Sequence, residues 1–285
     1  MKTTASRSVG VWTHAREPRL FFVEHLPAAQ VRFQFTGGPA EPPVYVLVYI
    51  THGSGSLTVD FEQYSVQPDR LFFLLPGQVG CAQLSADVQG LVLGFSAEFY
   101  EERFPDFPLA AYPFFSNFHP PLLDVRPPME PLLPLLQGLY QEAAGPAPQQ
   151  LEVSRSYLHV LLQLADRHYR RAHPLAAGDN PQVAAFEYLI NRHFRSQKVL
   201  RDYADQLQLS PNHLNALCRR VLRKTASDRL HERIVLEAKR LLLSSSQSVG
   251  QVALTLGFGD ASYFGRYFKK YVHVTPEAFR QQQRA

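Results

Sequence analysis

The stretch from Ser248 to Arg280 constrains the fold more than any other part of this 285-residue chain. Apolar residues recur at helical spacing in its first half, and Gly257 follows where a left-handed residue would end a helix at little cost. Asp260 or Ser262 can cap a second helix, whose own apolar stripe is Phe264, Tyr267, Phe268 and Tyr271. A short helix, a tight turn and a second helix with exposed basic residues is the layout of a helix-turn-helix, although a plain helical hairpin has the same spacing.

The same pattern occurs a second time upstream, between Val199 and Leu230, with a turn that is one residue shorter. The matching pairs are Ala204 with Ala253, Leu207 with Leu256, Leu209 with Phe258, Leu214 with Phe264, Cys218 with Phe268, Arg219 with Lys269, Arg220 with Lys270 and Thr225 with Thr275. A repeat of about fifty residues built from one supersecondary unit predicts a duplication of that unit. The chain should therefore have two candidate recognition helices.

The run ALTLGFGDASYFGRYFKKY, from Ala253 to Tyr271, and the Val-Thr-Pro that ends at Pro276 resemble the signature of the AraC family of bacterial transcription regulators. The first copy carries the matching run LSPNHL from Leu209 to Leu214. The resemblance covers the C-terminal third of the chain. It implies a DNA-binding domain of two helix-turn-helix units for this third.

The chain departs from the family pattern at positions that affect local geometry. The family often has glycine after each basic recognition helix, where this chain has Arg223 and His273. Gln208 occupies the turn of the first copy at the place of Gly257 in the second. A residue other than glycine with positive φ costs about 1 kcal/mol. The first copy is therefore expected to be less stable or to turn differently.

The resemblance also implies DNA contacts for both recognition helices, by position in the family's motif. The base-facing candidates are Asn212, Asn215 and Ala216 in the first copy and Ala261, Ser262 and Arg266 in the second; the phosphate candidates, late on the helices, are Arg219, Arg220, Lys269 and Lys270. Asparagine can bond bidentately with adenine and arginine with guanine, each worth about 1–3 kcal/mol of discrimination, whereas phosphate contacts position without specifying sequence. The alternative for each residue is a solvated side chain, or a charge favoured by the helix dipole.

Three further helical segments complete the predicted DNA-binding domain. Residues Val183–Phe194 pack the first unit, Pro211–Val221 form the first recognition helix, and Ala226–Leu243 form one long helix. The long helix has Leu230, Ile234, Ala238 and Leu241 on one face. At about 1.5 Å per residue it is about 27 Å long, so it can hold two recognition helices near one DNA turn of ~34 Å apart.

Charge is distributed unevenly along the chain. Residues 181–285 hold 17 Lys and Arg against 8 Asp and Glu, a formal charge of +9, whereas the other 180 residues hold 12 against 17. A basic C-terminal part joined to an acidic N-terminal part is the electrostatic footprint of one nucleic-acid-binding domain attached to a domain of another kind. The predicted partner of the basic part is double-stranded DNA.

The N-terminal part, from Leu20 to Ser96, has the composition of a β domain. Its short runs rich in β-branched and aromatic residues are LFFVEH, VRFQFT, VYVLVYI, GSLTVDF, RLFFLLP and GLVLGFS, separated by Gly and Pro turns. Evenly spaced short strands predict a sandwich or a barrel such as a jelly roll. The family resemblance implies a cupin-like barrel that holds a small effector. Tyr45, Tyr49, Phe72 and Phe73 can line a pocket, but core packing is their commoner role.

The β region does not have the residues that a metal enzyme of the cupin type needs. Only His25 and His52 are available there, without a close His-x-His pair. The sequence has no nucleophile elbow and no phosphate-binding loop. We therefore expect no catalytic residue, no metal and no other cofactor. Two alternatives remain open: a cupin metalloenzyme or ligand-binding module fused to a DNA-binding domain, and a barrel that serves only for dimerisation without ligand.

The segment between the β region and the two repeats has two parts: a proline-rich part, predicted to be irregular, and a leucine-rich part, predicted to be helical. Residues 99–128 are Pro- and Phe-rich and should be irregular, with at most a short strand or turn. Met129–Ala143 and Gln149–Arg171 should form a pair of leucine-rich helices, packed on the barrel, in a homodimer interface, or both.

The predicted architecture is α+β with two domains: an N-terminal jelly-roll or cupin-like β-barrel with two flanking helices, then an all-α domain of two helix-turn-helix units joined by a long helix. The predicted boundaries are 1–128 for the effector-sensing domain, 129–172 for the helical pair, 173–181 for the linker and 182–285 for the DNA-binding domain.

The sequence also predicts where the protein acts and with which partners. The N-terminus has no signal-peptide pattern, no stretch approaches the ~20 apolar residues of a membrane span, and two cysteines suit a reducing compartment. We expect a cytoplasmic transcription regulator without a membrane partner. Its expected partners are DNA, a small-molecule effector, a second copy of the chain and RNA polymerase.

Overall fold

The computed structural model describes residues 21–26, 43–125, 132–145, 149–174 and 180–284. The chain forms two compact units, residues 1–172 and 173–285. The predicted strand at residues 31–36 and the predicted helix start at residues 129–131 lie outside the described residues. No helix in the described ranges is long and apolar enough to cross a membrane.

The first unit contains two antiparallel sheets that share one apolar core. The strands are β1 (Phe21–His25), β2 (Val44–His52), β3 (Gly55–Val59), β4 (Glu62–Val66), β5 (Arg70–Leu74), β6 (Gly80–Leu84), β7 (Gln89–Ser96) and β8 (Leu122–Asp124). One sheet has the order β1-β7-β2-β5-β8 and the other β4-β3-β6. Side chains from both sheets, among them Val48, Leu57 and Val92, form a single buried cluster. The predicted β domain is confirmed as packed sheets, and closure into a cupin-like barrel stays a prediction.

One hairpin of the smaller sheet differs from its predicted form. The sequence predicts a strand through Phe61, but β3 ends at Val59, and Asp60 and Phe61 turn the chain with φ of 47° and 78°. Positive φ at both central residues is the geometry of a type I′ turn, which normally has Gly or Asn. The Asp60 carboxylate supports this turn because it accepts hydrogen bonds from the Val79 amide at 3.2 Å and the Gln78 side chain at 2.8 Å.

Aromatic residues from the segment after β7 pack against the larger sheet. This segment contains a short helix α1 (Ala97–Glu101), two 3-10 turns (Leu109–Ala111 and Pro113–Phe115) and β8. The prediction of an irregular segment with one short strand therefore holds except for the helical turn α1. Phe73 of β5 stacks on Phe114 with ring centroids 4.0 Å apart. Phe72 and Phe73 are both fully buried, so these aromatics pack the core.

Two helices complete the first unit, α2 (Leu132–Ala143) and α3 (Gln150–Ala172). They pack against each other, and α3 also packs against β8 and the second 3-10 turn. Tyr169, which is fully buried, donates a hydrogen bond from its hydroxyl to the carbonyl oxygen of Pro120 at 2.6 Å. The helical pair therefore packs on its own β domain, and a role in dimerisation stays a prediction.

The second unit is all-helical and contains both predicted helix-turn-helix units. Its helices are α4 (Pro181–His193), α5 (Leu200–Gln206), α6 (Pro211–Leu222), α7 (Ala226–Ser244), α8 (Val249–Thr255), α9 (Ala261–Val272) and α10 (Pro276–Arg284). Side-chain caps set several starts: Ser210, Thr225, Ser248 and Asp260 each accept a backbone N–H of the first turn. Asp260 is thus the cap of α9, and Ser262 is not.

The long helix α7 is the centre of this unit. It contacts α4, α5, α6, α8, α9 and α10, so both helix-turn-helix units pack on it. Three of the four predicted apolar residues, Leu230, Ile234 and Ala238, are buried, but Leu242 takes the buried place predicted for Leu241.

The turns use left-handed residues where the sequence predicts them. Gln208 has φ of 57° in the turn of the first helix-turn-helix, and Gly257 has φ of 75° in the turn of the second. Arg223 and His273, which end α6 and α9, have φ of 59° and 67°. Three residues that carry a Cβ therefore occupy positions at which glycine would be less strained.

Candidate nucleic-acid interface

Each recognition helix separates an apolar face from a polar face. On α6, Leu214, Leu217 and Cys218 are buried, and on α9, Phe264 and Phe268 are fully buried. The predicted contact residues that are exposed are Asn212, Ala216, Arg219, Arg220, Ala261, Ser262, Arg266, Lys269 and Lys270. This arrangement leaves the candidate base and phosphate contacts accessible to a double helix. Their individual roles stay predictions.

Asn215 is placed differently from the other candidates. It is half-buried, and its Oδ1 accepts the Ser227 backbone N–H at 3.3 Å, at the start of α7. Bidentate recognition of adenine needs both the oxygen and the nitrogen of the amide. Because the oxygen already has a partner inside the protein, Asn215 is less suited to that contact than Asn212.

Several basic residues of the second unit face inward rather than toward a ligand. Arg229, Arg233 and Arg240 on α7 are 9%, 6% and 3% exposed. Arg229 pairs with the buried Glu187 of α4 at 2.9 Å. These arginines hold α7 within the unit. The formal charge of the second unit is therefore larger than the charge on the surface that DNA could contact.

Glu237 of α7 is the acceptor at the centre of this buried network. Its carboxylate pairs with three guanidinium groups. The nitrogen-to-oxygen distances are 3.0 Å to Arg233, 3.5 Å to Arg240 and 2.6 Å to Arg195, which lies in the segment after α4. Burial favours the protonated form, but the surrounding arginines outweigh it and lower the pKa of Glu237 to about 2. The sequence analysis missed this network, although Arg229, Arg233, Glu237 and Arg240 recur at helical spacing.

The segment before the first helix-turn-helix packs against the turn of the second. A Cβ added to Gly257 would lie 2.0 Å from the carbonyl oxygen of Arg195. Lys198 donates to that same oxygen at 2.7 Å and lies 5.0 Å from the ring centroid of Phe258. This contact packs the second turn against the segment that follows α4.

A polar and aromatic contact joins α7 to the second recognition helix. His231 Nδ1 lies 2.8 Å from the Tyr267 hydroxyl, and the His231 ring stacks on Tyr271 with centroids 4.7 Å apart. Burial, followed by the charge of Lys270, lowers the pKa of His231 below its ordinary value of 6.5. The imidazole is therefore neutral at neutral pH, and Nδ1 can accept the Tyr267 O–H. Sequence reasoning assigned these tyrosines only to an apolar stripe.

Among the described residues of the first unit, no cluster of side chains could hold a metal ion. His25 packs on the Tyr140 ring with centroids 4.5 Å apart, and His52 Nε2 lies 3.3 Å from Asp87 Oδ2 at the surface. No group of three His, Cys, Asp or Glu residues that could hold a metal occurs in the parts of the chain that the structure describes. The buried cluster between the sheets is built from hydrophobic side chains.

Comparison with known proteins agrees with both units. A family model described as a helix-turn-helix domain matches residues 203–282, and one described as an AraC-like ligand binding domain matches residues 32–162. Over both units the chain is therefore similar to the AraC family of transcription regulators. The model of the ligand binding domain falls in the first unit and that of the helix-turn-helix domain in the second.

The relatives match different portions of this chain. The regulatory protein PocR of Salmonella typhimurium is 31% identical over 36% of this chain and 34% of its own length. The transcriptional activator RhaS of Pectobacterium carotovorum is 26% identical over 54% of this chain and 55% of its own length. The chain thus spans between about a third and about half of the curated relatives it matches. Among solved structures, the C-terminal domain of the response regulator yesN from Fusobacterium nucleatum is 29% identical over 33% of this chain and 93% of that chain, with a TM-score of 0.32.

Proposed function

We propose that this protein is a sequence-specific regulator of transcription that binds double-stranded DNA through α6 and α9. The observation that carries the proposal is the pair of helix-turn-helix units on one shared helix, each with an exposed polar and basic face. The N-terminal part of such a helix can reach base edges in a major groove, and the basic residues at its other end can reach phosphates. The proposal includes no enzymatic activity and no metal.

Selection of bound duplexes from random DNA with the purified full chain tests this function. Two adjacent recognition helices should enrich a motif of two blocks whose centres lie about one helical turn apart. Enrichment of no motif at moderate salt would contradict the proposal, because unspecific charge attraction alone gives no preferred sequence.

Arg266 is the base contact that the proposal tests most directly. Arg266→Ala should weaken binding to the selected site by about 1–3 kcal/mol and relax the preference at one base pair of the α9 block. Arg192, an exposed arginine on α4, gives the matched control, since Arg192→Ala removes the same charge from a helix that is not a recognition helix. An equal loss of affinity for specific and unspecific DNA in Arg266→Ala would show that Arg266 reads no base.

Lys269 tests the phosphate contacts. The dependence of log K on log salt should lose about one unit of slope in Lys269→Ala, because one fewer counterion is released on binding. The preferred sequence should stay the same in a repeated selection. A slope that equals that of the unchanged protein would remove Lys269 from the phosphate contacts.

The same proposal includes a homodimer formed through α3. Leu151, Val153 and Val160 on α3 are 54%, 36% and 45% exposed, although Leu158, Leu161 and Leu162 of the same helix are buried. Val160→Asp should therefore shift sedimentation of the full chain toward the monomer. Val199→Asp, at a residue that is 59% exposed in the second unit, is the control. A monomer in both the unchanged and the Val160 proteins would contradict this part.

Effector binding and contact with RNA polymerase complete the proposed role, which places the protein with DNA in the cytoplasm. The buried cluster between the sheets is hydrophobic, so we expect a compound that binds there to be apolar. Thermal-shift screening should find such a compound, and failure with a broad apolar set would favour a barrel without ligand. Transcription from a selected site by purified polymerase, with and without the protein, tests the last partner.

A further inference from the structure

Both recognition helices are attached to the same turn of α7. Asn215 of α6 accepts the Ser227 N–H at 3.3 Å, and Tyr267 of α9 bonds with His231 at 2.8 Å. Ser227 and His231 are four residues apart, so the two attachment points are separated by about 6 Å along the α7 axis. A simple spacer helix would hold the two attachment points apart by most of its length. Here the rest of α7, beyond His231, does not lie between them.

The attachment of α9 fixes both its position and its rotation. His231 makes a directional hydrogen bond to Tyr267 and stacks on Tyr271, one turn further along α9, at an interplanar angle of 30°. Two contacts one turn apart oppose rotation of α9 about its own axis. Such a rotation would redirect Arg266 and Lys269, which lie on the exposed side of the same helix.

We propose that Asn215–Ser227 and His231–Tyr267 form a joint on α7 that sets the angle between the two recognition helices. Asn215 and His231 are then positioning residues that act through α7 and α9. The inference rests on the proposed DNA-binding function and deepens it, because it concerns the spacing of the two DNA blocks that the protein accepts.

Block spacing is the property that such a joint controls. One added base pair moves a block by about 3.4 Å along the duplex and rotates it by about a tenth of a turn. With a rigid joint, the two recognition helices can bind their blocks at only one spacing. A loosened joint tolerates neighbouring spacings, even when each helix still reads its own block.

The experiment measures affinity of the full chain for the selected site and for sites with one base pair inserted or deleted between the blocks. Tyr267→Phe keeps the aromatic ring and removes the hydroxyl that bonds His231. It should lower the discrimination between correct and altered spacing by about three- to tenfold, the effect of one lost hydrogen bond. Tyr188→Phe, which removes a hydroxyl on α4 that accepts a hydrogen bond from Arg192, should leave that ratio unchanged.

A second pair of variants separates positioning from general stability. His231→Asn places an amide oxygen near the position of Nδ1, whereas His231→Leu has a similar shape without an acceptor. The asparagine variant should keep more of the spacing discrimination than the leucine variant. Equal discrimination in the two would contradict a role for the hydrogen bond.

The failures of the two proposals can be told apart. If the unchanged protein selects no motif, the DNA-binding function fails and the joint with it. If the protein selects two blocks but Tyr267→Phe discriminates spacing as well as the unchanged protein does, only the joint is overturned.

Discussion

Glu237→Ala is expected to lower the free energy of unfolding of the second unit by about 3–5 kcal/mol. The substitution leaves Arg233 and Arg240 buried at 6% and 3% exposure without the carboxylate that compensates their charge. Removing one partner of a buried ion pair costs this much because the other charge stays desolvated. Denaturant unfolding of the full chain, followed by helical circular dichroism, measures the loss.

Glu232 provides the matched control for this substitution. It lies on the same helix, and its side chain is 40% exposed while it pairs with Lys224 and Arg229. Because water screens and solvates such a pair, Glu232→Ala should cost less than about 1 kcal/mol. Equal losses in the two variants would show that the buried network does not hold the unit together.

The lowered pKa of Glu237 adds a pH dependence with a definite sign. The folded-state pKa is about 2 and lies below the ordinary value of 4.5, so ionised Glu237 stabilises the folded state above pH 4.5. This stabilisation is lost as the pH falls from 4.5 towards 2. In Glu237→Gln, unfolding free energy should therefore fall less steeply over that range than in the unchanged protein.

Gly257→Ala has the second-largest expected effect, a loss of about 2–4 kcal/mol in unfolding free energy. The φ of Gly257 is 75°, which disfavours any side chain, and the new Cβ would lie 2.0 Å from the Arg195 carbonyl oxygen. Backbone must therefore move, and overpacking of this kind typically costs about 1–3 kcal/mol beyond the strain. The displacement would involve the turn that leads into α9, so DNA affinity should fall as well.

Gln208 separates strain from overpacking, since it occupies the equivalent turn with φ of 57°. Gln208→Ala keeps a Cβ in an exposed left-handed position and should change stability little, whereas Gln208→Gly should gain up to about 1 kcal/mol. A loss in Gln208→Ala as large as that in Gly257→Ala would exclude the contact with Arg195 as the cause.

The helical unit could be predicted from sequence because its signals are local. Gly257, Asp260 and the apolar stripes determine turns and helix starts within a few residues, and α7 ends at Ser244 where Leu243 was expected. The type I′ turn at Asp60 and Phe61 could not be predicted, because its stability depends on the distant Gln78 and Val79.

The interior of the site was harder to predict than its surface. Exposed Arg266 and Lys269 follow from periodicity, since residues opposite Phe264 and Phe268 must face away from the core. The partners of Asn215 and His231 lie 12 and 36 residues away, and only the packed helices bring them together. Periodicity indicates which face a residue occupies but not which residue on another helix it contacts.

Hydroxyl-radical footprinting of the full chain on a selected site tests most directly whether the two helix-turn-helix units bind one duplex. We expect two protected segments on one face of the DNA, with centres about one helical turn apart. Protection of a single segment, or of two segments on opposite faces, would contradict the proposal that α6 and α9 bind successive major-groove segments.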